Sequence, residues 1–188
     1  MTDKGRFWII DPICGTSNFA KEIRLFVTNI ALAENGELVA ACAIDHAQGE
    51  YIWSTGSNKI FINDTEADIK RKSSGISIEV DLGGAMTGSK ERKEQFSKFL
   101  ARVILETNYA PLTYNSSLGF AYVAIGRIDA YVSADNKVWD VAAPNFLTMA
   151  AGGIVTKFDG SPWTLDSNDV LAVRDRELHK ELLDYLNG

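Results

Sequence analysis

A carboxylate and a glycine-containing turn follow an apolar run near the start of the chain. Residues 8–10 are Trp-Ile-Ile, Asp11 comes directly after them, Pro12 fixes the turn, and Gly15-Thr16 opens a short predicted helix. A carboxylate at the end of a strand is a ligand that hard divalent cations prefer. The N–H groups where a helix begins suit a phosphate group. The spacing alone also fits a buried strand whose Asp only caps the turn.

A second acidic position lies in the last third of the chain. Asp140 precedes the small apolar run 141–143, and Gly152-Gly153 follows the helix that this pattern predicts over 140–151. Taken alone, an Asp in the first turn of a helix is typical of an N-cap. Its importance comes from its combination with the segment around Asp11.

The composition limits the classes of partner. The 188 residues are 46% hydrophobic, and 19 basic against 25 acidic residues give a net charge of −6. An acidic chain lacks the positive field that attracts nucleic acid or anionic membranes, and no apolar run approaches the roughly 20 residues of a membrane span. We expect neither partner. Cys14 and Cys42 cannot form a disulfide framework, and without a recognisable signal peptide the expected location is the cytoplasm.

The pattern along the chain predicts an antiparallel meander followed by alternating strands and helices. The meander strands are predicted at 26–33, 38–44 and 50–54, with an Asn-Gly turn at 35–36 and a polar connection at 64–75. Later strands are predicted at 76–80, 129–133, 154–158 and 170–173, and helices at 90–106, 117–126, 140–151 and 176–186. The helix at 90–106 is predicted to bury Phe96, Phe99, Leu100, Val103 and Ile104. This order is typical of a layered α/β protein, which we divide into 1–75 and 76–188 within one compact unit.

Three motifs in this order resemble the inositol monophosphatase family of magnesium-dependent phosphomonoesterases. They are Asp-Pro-Ile-x-Gly-Thr-x-Asn-Phe at 11–19, Trp-Asp-x-Ala-Ala at 139–143 and Ala-Gly-Gly at 151–153. Segments at 26–32, 124–131 and 158–163 are also similar to parts of the family pattern, so the resemblance covers essentially the whole chain. It implies an α/β layered sandwich of the sugar phosphatase superfamily, an antiparallel meander followed by a mixed α/β layer, and a homodimer.

The resemblance also implies a role for individual residues. In the family, the residue matching Asp11 bridges two magnesium ions, the backbone carbonyl matching Ile13 completes one of these sites, and the residue matching Asp140 ligates the second ion. The pair matching Gly15 and Thr16 binds phosphate, and the Thr hydroxyl helps to orient the attacking water. The implied reaction is Mg²⁺-dependent hydrolysis of a small phosphorylated metabolite of the inositol- or sugar-phosphate class.

Three positions depart from the family pattern. Cys14 stands where the family has its second metal-binding Asp, and a thiol is a soft donor poorly matched to magnesium. We expect a small neutral thiol that fills the space of the former ligand, with a switch to zinc or manganese as the alternative. Ser133 replaces a Glu that contacts the substrate ring, and Tyr114-Asn115 replaces a Gly-Ser or Gly-Thr pair. These two changes argue against inositol itself as the substrate.

A fourth departure concerns the start of the chain. The family carries a Gly-Glu-Glu motif on a strand well before the Asp-Pro-Ile segment, and only ten residues precede Asp11 here. From this we expect an N-terminally truncated member with weak or no activity by itself and with apolar sheet surface left uncovered. The alternative is a non-catalytic relative, or a fragment, that acts as a binding or subunit module.

Other catalytic chemistries find no support in the sequence. A cysteine-based phosphatase needs an Arg six positions after its Cys, and Ala20 stands six positions after Cys14. No Gly-x-Ser-x-Gly segment is present. His46 and His179 are predicted to lie on solvated surface.

Overall fold

The structure, a computed structural model, describes residues 5–56, 58–69 and 75–188. Six strands form the first sheet, which is antiparallel and ordered as in the chain: β1 (Arg6–Cys14), β2 (Val27–Glu34), β3 (Glu37–Asp45), β4 (Glu50–Ser54), β5 (Phe61–Ile62) and β6 (Thr65–Glu66). Five strands form the second sheet: β7 (Ser77–Asp81), β8 (Ala110–Leu112), β9 (Ala130–Ala134), β10 (Ile154–Thr156) and β11 (Asp169–Val173). The second sheet has the order β10-β11-β9-β7-β8.

The helices complete the layers. They are α1 (Thr16–Ala20), α2 (Leu82–Thr87), α3 (Lys90–Glu106), α4 (Leu118–Ala124), α5 (Val138–Ala150) and α6 (Arg176–Asn187). Helices α4 and α5 contact strands of both sheets, and α6 and α3 pack together beside the second sheet. In the second sheet β7 is parallel to both of its neighbours, β8 and β9. Strand β11 is antiparallel to its neighbours β9 and β10. The predicted layered α/β sandwich, an antiparallel meander followed by a mixed layer, is therefore confirmed.

The first hairpin forms at the predicted Asn-Gly turn. Glu34 pairs with Glu37, and the two residues between them, Asn35 and Gly36, have φ angles of 53° and 87°. Positive φ at both central positions is the geometry that matches the right-handed twist of the flanking strands, and Asn and Gly adopt it at the lowest cost.

The inner face of the first sheet packs against α4 and α5. Small residues such as Ala31 and Ala43 alternate along the strands and are fully buried, so the helices approach the sheet closely. Leu118 and Leu147 fill the space between them. The first core therefore contains residues of both predicted parts, 1–75 and 76–188.

The outer face of the first sheet is also apolar, but it is exposed. Trp8 and Ile10 keep 62% and 53% of their surface accessible. Together with Ile30, Cys42 and Trp53 they belong to an apolar face that includes a shallow groove. A one-sided antiparallel sheet normally carries polar residues on its solvent face. This face therefore has the character of a surface for association.

Both faces of the second sheet are covered. Phe96, Phe99 and Val103 of α3 pack on one side with α6, and Phe120 and Val141 pack on the other. The prediction that Ile104 joins the buried face of α3 is wrong. Ile104 is 62% exposed, because it follows Val103 by one residue and so lies about 100° further round the helix.

Several short elements were not predicted from the sequence. These are α2, β8 and the β5–β6 hairpin, which lies partly in the polar connection predicted at 64–75. Residues 70–74 of that connection lie outside the described part of the chain. No described helix combines the length and the apolar character needed to cross a bilayer.

Candidate functional site

A bulge in β1 brings the first two candidate side chains to the same side of the sheet. Asp11 pairs with Asn29 and Cys14 with Val27, so three steps along β1 face two steps along β2. In a regular strand, residues three apart point to opposite faces. The extra residue removes this alternation, as bulges near functional sites commonly do. The backbone N–H of Ile13 donates to Asp11 Oδ1 at 3.0 Å and holds the bulge closed.

The first turn of α5 supplies the second carboxylate. Asp140 Oδ2 accepts a hydrogen bond from the N–H of Lys137, so the side chain caps its own helix. Four residues later Pro144 has no N–H to donate to the Asp140 carbonyl. Asn29 Nδ2 donates to that carbonyl instead, at 3.1 Å. The proline thus makes it possible for β2 to anchor the start of α5.

The thiol of Cys14 is held by the residue that precedes α4. The N–H of Ser117 points to Cys14 Sγ at 3.4 Å, and the Ser117 hydroxyl lies 3.0 Å from it. Asn29 Nδ2 donates to the same hydroxyl oxygen at 2.7 Å. Because the Ser117 oxygen already accepts from Asn29, its hydroxyl hydrogen is donated to the sulfur. Cys14 Sγ is therefore the final acceptor in a buried series of hydrogen bonds.

The three side chains form a compact group of possible metal ligands. One donor atom from each of Asp11, Cys14 and Asp140 lies within 4.8 Å of the others. Burial, reinforced by the adjacent Asp11 carboxylate, raises the pKa of Asp140 to about 6. Burial raises the pKa of Cys14 to about 12, against the lowering effect of the Ser117 hydrogen bonds. A divalent cation between these donors would stabilise their charged forms against the burial that causes both shifts, and against the repulsion from the neighbouring carboxylates.

Next to this group, Gly15 allows the chain to turn into α1. Its φ of 94° lies in the left-handed region, and a Cβ would lie 2.9 Å from the Leu25 carbonyl and 3.0 Å from Ser116 Cβ. Thr16, the first residue of α1, is exposed with its hydroxyl free to meet a ligand. Asn18 is buried, and its Nδ2 donates to the carbonyls of Leu25 at 2.8 Å and Tyr114 at 2.6 Å.

Several of these residues line a cleft of about 200 Å³, and Asp11 lies beside it, within 4.8 Å of Cys14 and Asp140. The lining of the cleft includes Cys14, Gly15, Thr16, Asp81, Asn136 and Asp140. Ser133, which the sequence places on the substrate side, is 1% exposed and does not belong to the lining. It donates to Asn136 Oδ1 at 2.7 Å, and Asn136 faces the cleft in its place.

Asp81 is a further carboxylate in the cleft. It caps α2 by accepting from the N–H of Gly83 at 2.8 Å, and the hydroxyl of the buried Tyr131 donates to its other oxygen at 3.0 Å. Burial raises its pKa. Sequence reasoning missed Asp81 and Asn29. The signal for Asn29 was an amide in the middle of the apolar strand 27–33, and the signal for Asp81 was an acid at the end of an apolar strand, separated by one residue from the Gly83-Gly84 pair.

The two histidines do not take part in the cleft. His46 is exposed and stacks on Phe26 with ring centroids 5.6 Å apart. His179 is predicted to lie on solvated surface, but its side chain is half-buried. His179 Nε2 lies 2.8 Å from the Thr156 hydroxyl, and burial lowers its pKa.

Comparison with known proteins identifies the family. The model of the inositol monophosphatase family matches residues 1–187. The chain belongs to this family. It is 31% identical to an inositol-1-monophosphatase of Mesorhizobium japonicum over 170 residues, which are 90% of this chain and 64% of that relative. It is 30% identical to the Nus factor SuhB of Vibrio cholerae, over 98% of this chain and 68% of that relative.

Solved structures of the family have the same fold. An IMPase from Thermotoga maritima superposes with a TM-score of 0.83 at 28% identity, over 98% of this chain and 70% of that protein. The chain thus spans about two thirds of the length of the relatives it matches. Family membership places Asp11, Gly15, Thr16 and Asp140 within the fold of the inositol monophosphatases.

The donors fit one part of the family's metal chemistry and not another. Asp11 and Asp140 provide hard carboxylate oxygens close together, which fits a divalent cation such as Mg²⁺. Cys14 does not fit Mg²⁺, because sulfur is a soft donor and the buried thiol is uncharged. The resemblance to the family implies side-chain ligands at the positions of Asp11, Cys14 and Asp140. The site keeps a carboxylate at two of these three positions.

Proposed function

We propose that this cleft hydrolyses a small phosphomonoester, of the inositol- or sugar-phosphate class, with the help of a divalent cation. The observation that carries the proposal is the β1 bulge. It places Asp11 within 4.8 Å of the Asp140 side chain and leads directly to Gly15 and Thr16 in the same cleft. A cation ligand pair and a phosphate-binding turn are thereby adjacent.

The chain contributes position and charge rather than a covalent intermediate. Asp11 and Asp140 would hold the cation, and the backbone carbonyl of Ile13 is placed by the same bulge. When bound, the cation supplies positive charge that offsets the negative charge developing on the phosphoryl oxygens. Gly15 and Thr16 fix the phosphate, and the Thr16 hydroxyl orients the nucleophilic water. Asn136 and Asp81 also line the cleft and would face the remainder of the substrate.

Turnover with magnesium is expected to be low. Cys14 contributes no negative charge where the family uses a carboxylate, and loss of one electrostatic contributor in an active site typically costs about 10²–10³ in rate. The neutral Cys14 side chain is therefore sufficient, without any other change, to make this a slow enzyme with Mg²⁺.

The proposal is tested by phosphate release from a panel of inositol and sugar phosphates. We expect cation-dependent turnover that Asp140→Asn lowers by about 10²–10³, because one of two carboxylate ligands is lost. Asp159→Asn, on an exposed hairpin away from the cleft, is the matched control and leaves the rate unchanged. Absence of any turnover above the Asp140→Asn level, with every divalent cation tried, would overturn the proposal.

A second candidate function is a binding or subunit module without catalysis. It is favoured by the exposed apolar face around Trp8 and Ile10 and by the relatives whose name is Nus factor SuhB. We propose a homodimer as the simplest assembly, and a cytoplasmic location in keeping with the free thiols of Cys14 and Cys42. The two roles separate experimentally. A module loses its assembly in a Trp8→Ser/Ile10→Ser variant, measured by sedimentation, and shows no turnover in either form.

A further inference from the structure

We propose that Cys14 converts the family's magnesium position into a mixed sulfur–oxygen site that selects Zn²⁺, or a cation of similar softness, over Mg²⁺. The ligands are Cys14 Sγ and one carboxylate oxygen from each of Asp11 and Asp140. This inference rests on the cleft being a cation site, as in the proposed function, but it does not require that the cleft hydrolyse anything.

The spacing of the three donors suits such a cation. Zn²⁺ binds sulfur at ~2.3 Å and oxygen at ~2.0–2.2 Å in tetrahedral geometry, which places donors roughly 3.3–3.8 Å apart. The donors here lie within 4.8 Å of one another. Small side-chain rotations of Asp11 and Asp140 therefore close the site, and the fourth position stays open towards the cleft.

The surroundings of Cys14 prepare the sulfur for this role. Ser117 directs both its N–H and its hydroxyl hydrogen at Sγ, and Asn29 orients that hydroxyl by donating to its oxygen. These donors stabilise negative charge on the sulfur, and they leave the S–H hydrogen for the side where the carboxylates lie. On binding, the thiol releases this proton to solvent as the bond from sulfur to the cation forms. Groups behind a metal ligand that fix its orientation in this way are typical of protein metal sites.

An independent observation concerns Asn29. Its Oδ1 is buried with no hydrogen-bond partner among the described residues, and the residue is 1% exposed. Asn29 pairs with Asp11 across β1 and β2, and its Nδ2 holds both Ser117 and the Asp140 carbonyl. A buried acceptor left without a donor is unfavourable, because it has lost its hydrogen bonds to water without replacing them. Water brought in with a hydrated cation would supply the missing donor.

The same features disfavour magnesium. Mg²⁺ demands oxygen ligands in near-octahedral geometry and gains little from a sulfur donor. In the family pattern the position of Cys14 is a carboxylate, whereas here the N–H and hydroxyl of Ser117 donate to a thiol sulfur. One side chain therefore alters the preference of the site without altering its framework.

The test uses the full chain and Co²⁺, which substitutes for Zn²⁺ and absorbs strongly when bound to a thiolate. The Cys42→Ser variant keeps Cys14 as its single thiol, and Cys42 itself lies outside the cleft. We expect this variant and the unaltered chain to give the same sulfur-to-cobalt charge-transfer band. We expect Zn²⁺ to abolish the band at one equivalent, and a 100-fold excess of Mg²⁺ to leave it in place.

A second variant tests directly whether the sulfur of Cys14 binds the cation. Cys14→Ser, checked for folding by circular dichroism, loses the band and binds Zn²⁺ at least tenfold more weakly by calorimetry. The proposal is overturned if Cys42→Ser gives no band, if Cys14→Ser binds Zn²⁺ as tightly as the unaltered chain, or if Mg²⁺ displaces Co²⁺. A chain that binds Zn²⁺ through Cys14 but releases no phosphate from any ester would refute the proposed function alone.

Discussion

The two sides of the cleft are held in place by different physical means. The proposed phosphate side, around Gly15, is fixed by backbone geometry and by the hydrogen bonds of the buried Asn18 amide. The proposed cation side, made of Asp11, Cys14 and Asp140, is fixed by the bulge and α5, and its properties depend on charge and donor type. The phosphate side therefore tolerates little change, whereas the cation side can exchange a ligand without loss of the fold.

The backbone of Tyr114 shows how the phosphate side is secured. Asn18 donates to its carbonyl, and Glu79 Oε1 accepts from its N–H at 2.8 Å. Glu79 is fully buried in β7. The segment between β8 and α4 contains Ser116 and Ser117, which line the cleft. Hydrogen bonds from Asn18 and to Glu79 hold its backbone in place at Tyr114. Substitutions on this side are expected to act through stability first, and those on the cation side through ligand preference.

The largest effect is expected for Gly15→Ala. A Cβ at this position meets the Leu25 carbonyl at 2.9 Å in a left-handed conformation, so we expect a loss of at least about 2 kcal/mol in unfolding free energy and of phosphate binding. Gly36→Ala is the matched control. It has a similar φ of 87° with nothing within 4 Å, and should cost only about 1 kcal/mol. Equal losses in chemical denaturation would show that close contact at Gly15 is unimportant.

A smaller loss is expected for Asn18→Ala. The change removes a buried amide and leaves the partly buried carbonyls of Leu25 and Tyr114 without their donor, at about 1–3 kcal/mol. Asn187→Ala removes a similar pair of bonds, to the carbonyls of Phe158 and Leu183, at an exposed helix end. Water replaces the lost donor there, so this control should change the unfolding free energy by less than about 1 kcal/mol. If Asn187→Ala costs as much as Asn18→Ala, burial does not secure the phosphate side.

A pH-dependent effect is expected at Glu79. Burial raises its pKa to about 8 from the ordinary value of 4.5, so the folded chain keeps a proton that the unfolded chain loses. Its contribution to stability is therefore complete below about pH 4.5 and is lost as the pH rises towards 8, with a slope of at most about 1.4 kcal/mol per pH unit.

Glu79→Gln removes this titration. Unfolding free energies measured between pH 5 and pH 8 should fall less steeply in the variant, with a remaining slope from Asp140 and Asp81, whose pKa values are also raised by burial. Glu37→Gln, at an exposed position next to the first hairpin turn, is the control and should keep the original slope. Identical slopes for all three proteins would mean that Glu79 is not protonated in the folded state.

Much of this arrangement follows from the sequence. The alternation of small apolar residues in 27–33, the Asn-Gly turn and the helix over 90–106 were predictable because local pattern and burial agree there. The pairing of Asp11 with Asp140 came from motif resemblance. The short distance between their side chains depends on the bulge in β1. This bulge is set by the register of β1 against β2, which cannot be derived from the sequence of either strand alone.

Other details could not be read from the chain. Pro144 within α5 gives no hint that the freed carbonyl of Asp140 is taken by Asn29, because the two residues are far apart in sequence. Ser133 was assigned to the substrate side by alignment with a longer side chain. The short serine side chain donates instead to Asn136, and Asn136 lines the cleft.

The central claim, that one ligand sets the cation preference while the framework stays intact, is tested most directly by dissociation constants. Calorimetry on the unaltered chain and on Cys14→Asp gives the ratio of Zn²⁺ to Mg²⁺ affinity for each. The account predicts that Cys14→Asp binds Mg²⁺ more tightly and lowers this ratio at least 100-fold, with an unchanged circular dichroism spectrum. A ratio that is the same in both proteins would contradict it.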